Sequence, residues 1–244
     1  MGLSIQIRDL CKSFKGQTVL DRVSLDIATT ERVALVGANG AGKTTLVRCL
    51  LGQYRCEGEV LLAGLAPRVH RPEVLSRVSF VPQLPPALRM PVGAFLRFAA
   101  DLSGCETDPI EAVAERLGLA LAPLLHRPFV KLSGGQKQKL LIAVALGRRT
   151  ELLIMDEPAA NLDPKARKVF FELLEERRGH ATMVISSHRL EDVASLVQRV
   201  VEMDLGRVAL DDRLEAGCSR AAADSSPEPL PGRLGARPGL QEVR

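Results

Sequence analysis

The chain has 244 residues and a formal net charge of +4, with no tryptophan, one tyrosine and no long block of like charge. That length accommodates one large core or two lobes, and the dispersed charge argues against a dedicated nucleic-acid surface. Five cysteines stand at 11, 49, 56, 105 and 218, with no C-x-x-C pair, which fits a reducing compartment and neither a disulfide frame nor a zinc site.

Residues 1–8 lack the apolar core of a signal peptide; they alternate apolar and polar as an edge strand does. Arg32-Val33-Ala34-Leu35-Val36 is an apolar, β-branched stretch that predicts a buried strand. Gly37-Ala38-Asn39-Gly40-Ala41-Gly42-Lys43-Thr44 follows and matches G-x-x-x-x-G-K-[ST]. Thr45 to Leu51 then has helical character up to Gly52. Strand, glycine-rich loop and helix are the context in which this spacing cradles phosphates. Glycines let backbone N–H groups turn inward and approach an anion closely, and a helix start adds partial positive charge. Lys43 is placed to reach the β- and γ-phosphates, and Thr44 offers a hydroxyl to Mg²⁺.

Helical runs are expected at 92–103 and 108–117. Leu132-Ser133-Gly134-Gly135-Gln136 opens a further helix reaching Leu146, so a serine and two glycines at a helix start form a second anion site. The longest apolar run, near 140–146, is far too short to span a bilayer. Residues 152–157, Leu-Leu-Ile-Met-Asp-Glu, describe a buried parallel strand ending in acids at its carboxyl edge, where open α/β sheets bind ligands. Asp156 suits Mg²⁺, while strand alternation points Glu157 away from Asp156 towards the γ-phosphate and an attacking water. Pro158 stops the strand. Asp163 precedes Pro164 and a helical run to Arg178, so helix capping is one role for it. Thr182 to Ile185 is another apolar strand, followed by Ser186-Ser187-His188. From Ser219 the composition turns to Ala, Ser, Pro, Gly and Arg, and 219–244 is expected to be a flexible tail, with four arginines against three acids and therefore not a polybasic anchor.

Taken in this order, the motifs resemble the nucleotide-binding subunit of an ATP-binding-cassette (ABC) transporter over about residues 3–210. The resemblance implies an α/β P-loop NTPase fold of ABC type: a RecA-like core with an antiparallel β-subdomain and an inserted α-helical subdomain at about 85–147, within one ATPase domain at 1–218. It implies that Phe14 stacks on adenine and that the phosphate loop runs through Thr45. Gln83 touches both Mg²⁺ and a membrane partner, and Ala160-Asn161-Leu162-Asp163 crosses to another subunit. His188 senses the γ-phosphate. The signature, Leu132 to Gln136, is expected to cap ATP held by the phosphate loop of a second copy packed head to tail. ATP and Mg²⁺ are the implied cofactors, and a separate transmembrane permease, docked near Gln83 and the helical subdomain, is the implied partner. The implied location is the cytoplasmic face of a bacterial inner membrane, with no nucleic acid expected. Two departures stand out: the Pro-rich run Leu84 to Pro91, and lysines at 137 and 139 where arginines are common. A compact cassette looks more like export-type or ABC-2-type subunits, by analogy alone. Rival classes are a repair or translation ABC ATPase, a P-loop kinase, which would not need Leu-Ser-Gly-Gly-Gln, and a non-hydrolysing ATP-binder, which would not need Glu157 and His188.

Overall fold

Alternating burial organises the first strands: Ile5 and Ile7 are buried while Gln6 and Arg8 face solvent, within β1 (Ile5–Phe14). In this computed structural model, which describes residues 2–214, β2 (Gln17–Ile27) follows as an antiparallel partner of β1. Next come β3 (Arg32–Val36), α1 (Lys43–Leu50) and β4 (Glu57–Leu62). Then α2 (Arg71–Ser76) leads into β5 (Val78–Val81). Three helices are inserted before the next strand: α3 (Val92–Asp101), α4 (Asp108–Arg116) and α5 (Gly134–Gly147). The chain continues through β6 (Leu152–Asp156), α6 (Pro164–Glu175), β7 (Thr182–Ser187), β8 (Arg199–Asp204) and β9 (Arg207–Arg213). The expected tail, 219–244, lies outside the described residues.

These strands make two sheets. One is antiparallel with order β2-β1-β4; the other runs β5-β6-β7-β3-β8-β9, parallel apart from β9. The first strand is therefore central rather than an edge, paired with β2 on one side and β4 on the other. Period-two patterning reports that one face is buried; it carries no information on whether both backbone edges are paired, so an edge was not derivable from it.

Within the central sheet β3, β6 and β7 are buried at every position, the signature of parallel strands covered on both faces. Successive residues go to different cores. Ala34, Val36, Leu153, Met155, Met183 and Ile185 join the core built by the inserted helices and α6. Val33, Leu35, Leu152, Ile154 and Val184 join the one shared with the antiparallel sheet and α1. Each fully buried leucine or isoleucine in such layers contributes about 1.5–3 kcal/mol relative to exposure. The α4–α5 crossing is close because position 147 is glycine: a Cβ there would lie 2.7 Å from the Ile110 Cα. Helix α2 went unread in the sequence because it has one buried residue, Val74, and no side-chain cap.

Candidate phosphate and magnesium site

Parallel pairing brings the carboxyl ends of neighbouring strands together. Val36 is opposite Ser187, Asp156 is opposite Ser186, and Val81 is opposite Met155. The loop after β3, the acids after β6 and the Ser-Ser-His run after β7 therefore share one edge of the sheet. Gln83, half-buried, lies two residues beyond the end of β5 on that same edge.

The loop itself depends on its glycines. Gly37, Gly40 and Gly42 all have positive φ, at 146°, 88° and 104°. A Cβ on Gly37 would run into the Met203 carbonyl oxygen, and one on Gly42 would lie 2.9 Å from Leu20 Cδ2. Gly42 is the N-cap of α1 and supplies no side-chain acceptor, so the first amides of α1 point out of the helix with no side chain capping them. Lys43 is buried, and its Nζ donates to the carbonyls of Gly37, at 2.6 Å, and Ala38, at 3.1 Å. Ala38, Asn39 and Ala41 complete the turn, with Ala41 N donating to Ala38 O at 3.2 Å. Thr44 and Thr45 sit in the first turn of α1.

A chain of polar contacts runs on from that helix. Thr44 Oγ1 donates to Asp156 Oδ2 at 2.7 Å. Ser186 Oγ donates to the other carboxylate oxygen, Asp156 Oδ1. The same Ser186 oxygen accepts the Glu157 amide at 3.1 Å, and the Ser186 carbonyl accepts it too, at 3.2 Å. His188 Nδ1 lies 3.3 Å from Glu157 Oε2, with the glutamate side chain only 12% exposed and the histidine 48% exposed. Thr44, Asp156, Glu157 and His188 are thus brought together as the sequence reading expected, but the orientation of Glu157 has a different origin. The strand ends at Asp156, and Glu157 takes a left-handed φ of 47°. The turn, not strand alternation, aims its side chain. Ser186 is the member of this group that sequence reasoning missed, because its role follows from the register of β6 against β7.

The signature forms a second cluster. Ser133 caps α5 in a capping box: its Oγ accepts from Gln136 N at 3.2 Å, and its own amide donates to Gln136 Oε1 at 3.0 Å. Gly134 has open space where a Cβ would be, and a Cβ on Gly135 would meet the Asn161 carbonyl at 3.3 Å. Asp163 caps α6 by accepting from Ala166 N at 2.9 Å and pairs with Lys139 Nζ at 2.7 Å. Lys139, and after it the Ala166 amide, hold the Asp163 carboxyl below its usual range. Ser133, Gly135, Gln136, Lys139 and Asp163 line a cleft of about 400 Å³ that includes none of residues 37–44. Gln138 links this cluster to the acidic turn: fully buried, it donates through Nε2 to the Pro158 carbonyl at 3.0 Å. Its place in the polar run Gln136 to Lys139 gave no hint of that contact in the sequence.

Phe14 ends β1 and is 40% exposed, as a stacking surface requires. Near Gln83, Leu84 is 80% exposed, and Phe98 on α3 and Leu102 just past its end are exposed as well. Among the described residues no helix is long and apolar enough to cross a membrane.

The donor set fits a magnesium nucleotide. Uncapped amides and a lysine converge on one loop, and a hydroxyl and a carboxylate with oxygen ligands for a hard cation lie beside them. The comparisons agree. The ABC transporter family profile matches residues 20–160. The zinc import ATP-binding protein ZnuC of Marinobacter nauticus is 34% identical over 202 residues, 81% of this chain and 73% of that protein. The aliphatic sulfonates import ATP-binding protein SsuB 2 of Rhodococcus jostii is 32% identical over 225 residues, 91% of this chain and 87% of that protein. A solved ATP-binding subunit of an ABC transporter superposes with a TM-score of 0.78 at 26% identity, covering 86% of this chain and 90% of that one. With P-loop, paired acids and signature placed on an α/β fold of this kind, the chain belongs to the ABC transporter family and is an ATPase that uses ATP and Mg²⁺.

Proposed function

We propose that two copies of this chain close head to tail around two Mg-ATP and, in closing and parting, drive a separate transmembrane permease. One observation carries the reading: a single chain holds two anion-ready helix starts, at α1 and α5, that do not share a cleft. An ATP bound at residues 37–45 and capped by Ser133, Gly134, Gly135 and Gln136 of a second copy uses both. In this reading Lys43 neutralises charge on the leaving and transferred phosphates. Thr44, Gln83 and Asp156 hold Mg²⁺, which when bound draws charge from the phosphate oxygens. Glu157 polarises the attacking water, and His188, in contact with it, orients the γ-phosphate. Phe14 stacks on the adenine, and Ala160 to Asp163 cross to the partner. The ATPase domain spans 1–218, with a helical subdomain at about 85–147 that, with Gln83 and Leu84, faces the permease at the cytoplasmic side of a bacterial inner membrane. The exposed Leu84, Phe98 and Leu102 support that docking side.

Glu157→Gln tests the catalytic part. ATP binding is expected to persist while phosphate release nearly stops and an ATP-bound dimer accumulates on size exclusion; normal turnover overturns the role of Glu157. Purifying the tagged chain from gently solubilised membranes tests the partner. Recovery of a polytopic membrane protein supports the permease, and recovery with ribosomes or repair factors instead overturns it. The cargo is set by that permease: two relatives at about one-third identity are named for zinc and for sulfonates.

A further inference from the structure

Phe14 is not free-standing at the end of β1. Its ring meets the Tyr54 ring with centroids 5.2 Å apart and planes at 78°, an edge-to-face contact. Arg48 Nη1 donates to the Tyr54 hydroxyl at 2.6 Å, and the guanidinium carbon lies 5.6 Å from the Tyr54 ring centroid. Arg48 belongs to the last turn of α1, the helix that begins with Lys43 and Thr44. Tyr54 follows a turn pinned to the same helix, with Gly52 N donating to Cys49 O and Gln53 N to Arg48 O, both at 2.9 Å. Lys12 Nζ stands 4.5 Å over the Phe14 ring and 5.8 Å from that of Tyr54. The chain's one tyrosine is therefore placed between a half-exposed phenylalanine and the phosphate-loop helix.

We propose that Tyr54 is a positioning residue for the purine base of the nucleotide, acting through Phe14. A phenyl ring at an exposed strand end rotates about its side-chain bonds, and stacking rewards only one ring plane. The near-perpendicular contact with Tyr54 fixes that plane, and the Arg48 bond ties it to α1. The base platform and the phosphate loop then move as one element, which holds the span between base and triphosphate constant. This rests on the reading of Phe14 as the adenine platform.

Equilibrium binding of ATP and of inorganic tripolyphosphate to the full chain tests both levels. Tripolyphosphate offers the phosphates without the base. Tyr54→Ala is expected to weaken ATP about three- to tenfold and to leave tripolyphosphate within about twofold. Tyr54→Phe keeps the ring, loses the Arg48 bond and is expected to fall between Tyr54→Ala and the parent. Because Tyr54 acts through Phe14, adding Tyr54→Ala to Phe14→Ala is expected to cause no further loss. Unchanged ATP affinity in Tyr54→Ala overturns the proposal. So does an equal loss for tripolyphosphate, which means α1 itself was disturbed, or a further loss in the double variant. If Phe14→Ala leaves ATP binding unchanged, the platform reading falls first and the Tyr54 role with it.

Discussion

Ser186→Ala isolates the contact that ties the two acids of the site together. The Ser186 hydroxyl donates to Asp156 Oδ1 and accepts from the Glu157 amide. The amide keeps a second acceptor, the Ser186 carbonyl at 3.2 Å, so little is lost on that side. Asp156 is buried and keeps only the Thr44 hydroxyl among its two side-chain donors. The cost is thus one hydrogen bond to a buried carboxylate, about 1.5–3 kcal/mol. A loss near 2 kcal/mol lowers the thermal midpoint of a domain this size by about 4–8 °C. Urea unfolding without nucleotide measures it, with an unchanged slope showing that the native surface is intact. Ser187→Ala is the control: that hydroxyl, though buried at the end of β7, bonds only the neutral backbone of the exposed Arg189, at 2.8 Å and 3.1 Å, and is expected to cost about 1 kcal/mol. Equal midpoints for Ser186→Ala and the parent, or an equal cost at both serines, refute the reasoning.

Gly37→Ala and Gly40→Ala separate packing from backbone strain. Both positions have positive φ, but only the first would drive a Cβ into the Met203 carbonyl, so Gly40→Ala is expected to cost about 1–2 kcal/mol and Gly37→Ala distinctly more, with loss of ATP binding; equal costs in thermal unfolding contradict this. Arg178 and then Arg32 hold the Glu175 carboxyl down at about 2, from an ordinary 4.5. Its contribution is complete above pH 4.5 and fades as pH falls towards 2, so Glu175→Gln is expected to flatten the acid limb of a urea-midpoint profile in that window and leave neutral pH dependence unaltered. Ser133→Ala removes the capping box of α5 and is expected to destabilise by about 1 kcal/mol, read by the same unfolding assay.

What the sequence could disclose divides by the range of the interaction. The loop from Gly37 to Thr44 is legible because its chemistry is local: three positive-φ positions need glycine, and the lysine and threonine follow at fixed offsets on one helix turn. β3, α1, β6 and the signature helix are legible for the same reason, since continuous apolar runs and a Ser-Gly-Gly start are written in adjacent residues. The direction of Glu157 was inferred from alternation in a strand that stops one residue too soon; a left-handed turn delivers the side chain instead, and nothing in Met-Asp-Glu-Pro announces a positive φ at a glutamate.

Contacts made across the sheet are of a different kind. Ser186 reaches Asp156 because β7 lies beside β6 in one register, and a slip of a single residue would turn its hydroxyl to the opposite face of the sheet. Gln138 reads as a polar residue on a helix, yet it is fully buried and holds Pro158, the residue after Glu157. With Lys139 on Asp163 and Gly135 close under Asn161, α5 grips the 158–163 loop at three points. The helix that opens with the signature is therefore mechanically continuous with the turn that aims Glu157. In the proposed head-to-tail dimer, a load on Ser133 from the second copy would have a packed route to Glu157 of the same chain as that Ser133, and that route consists of residues whose importance exists only once the chain is folded.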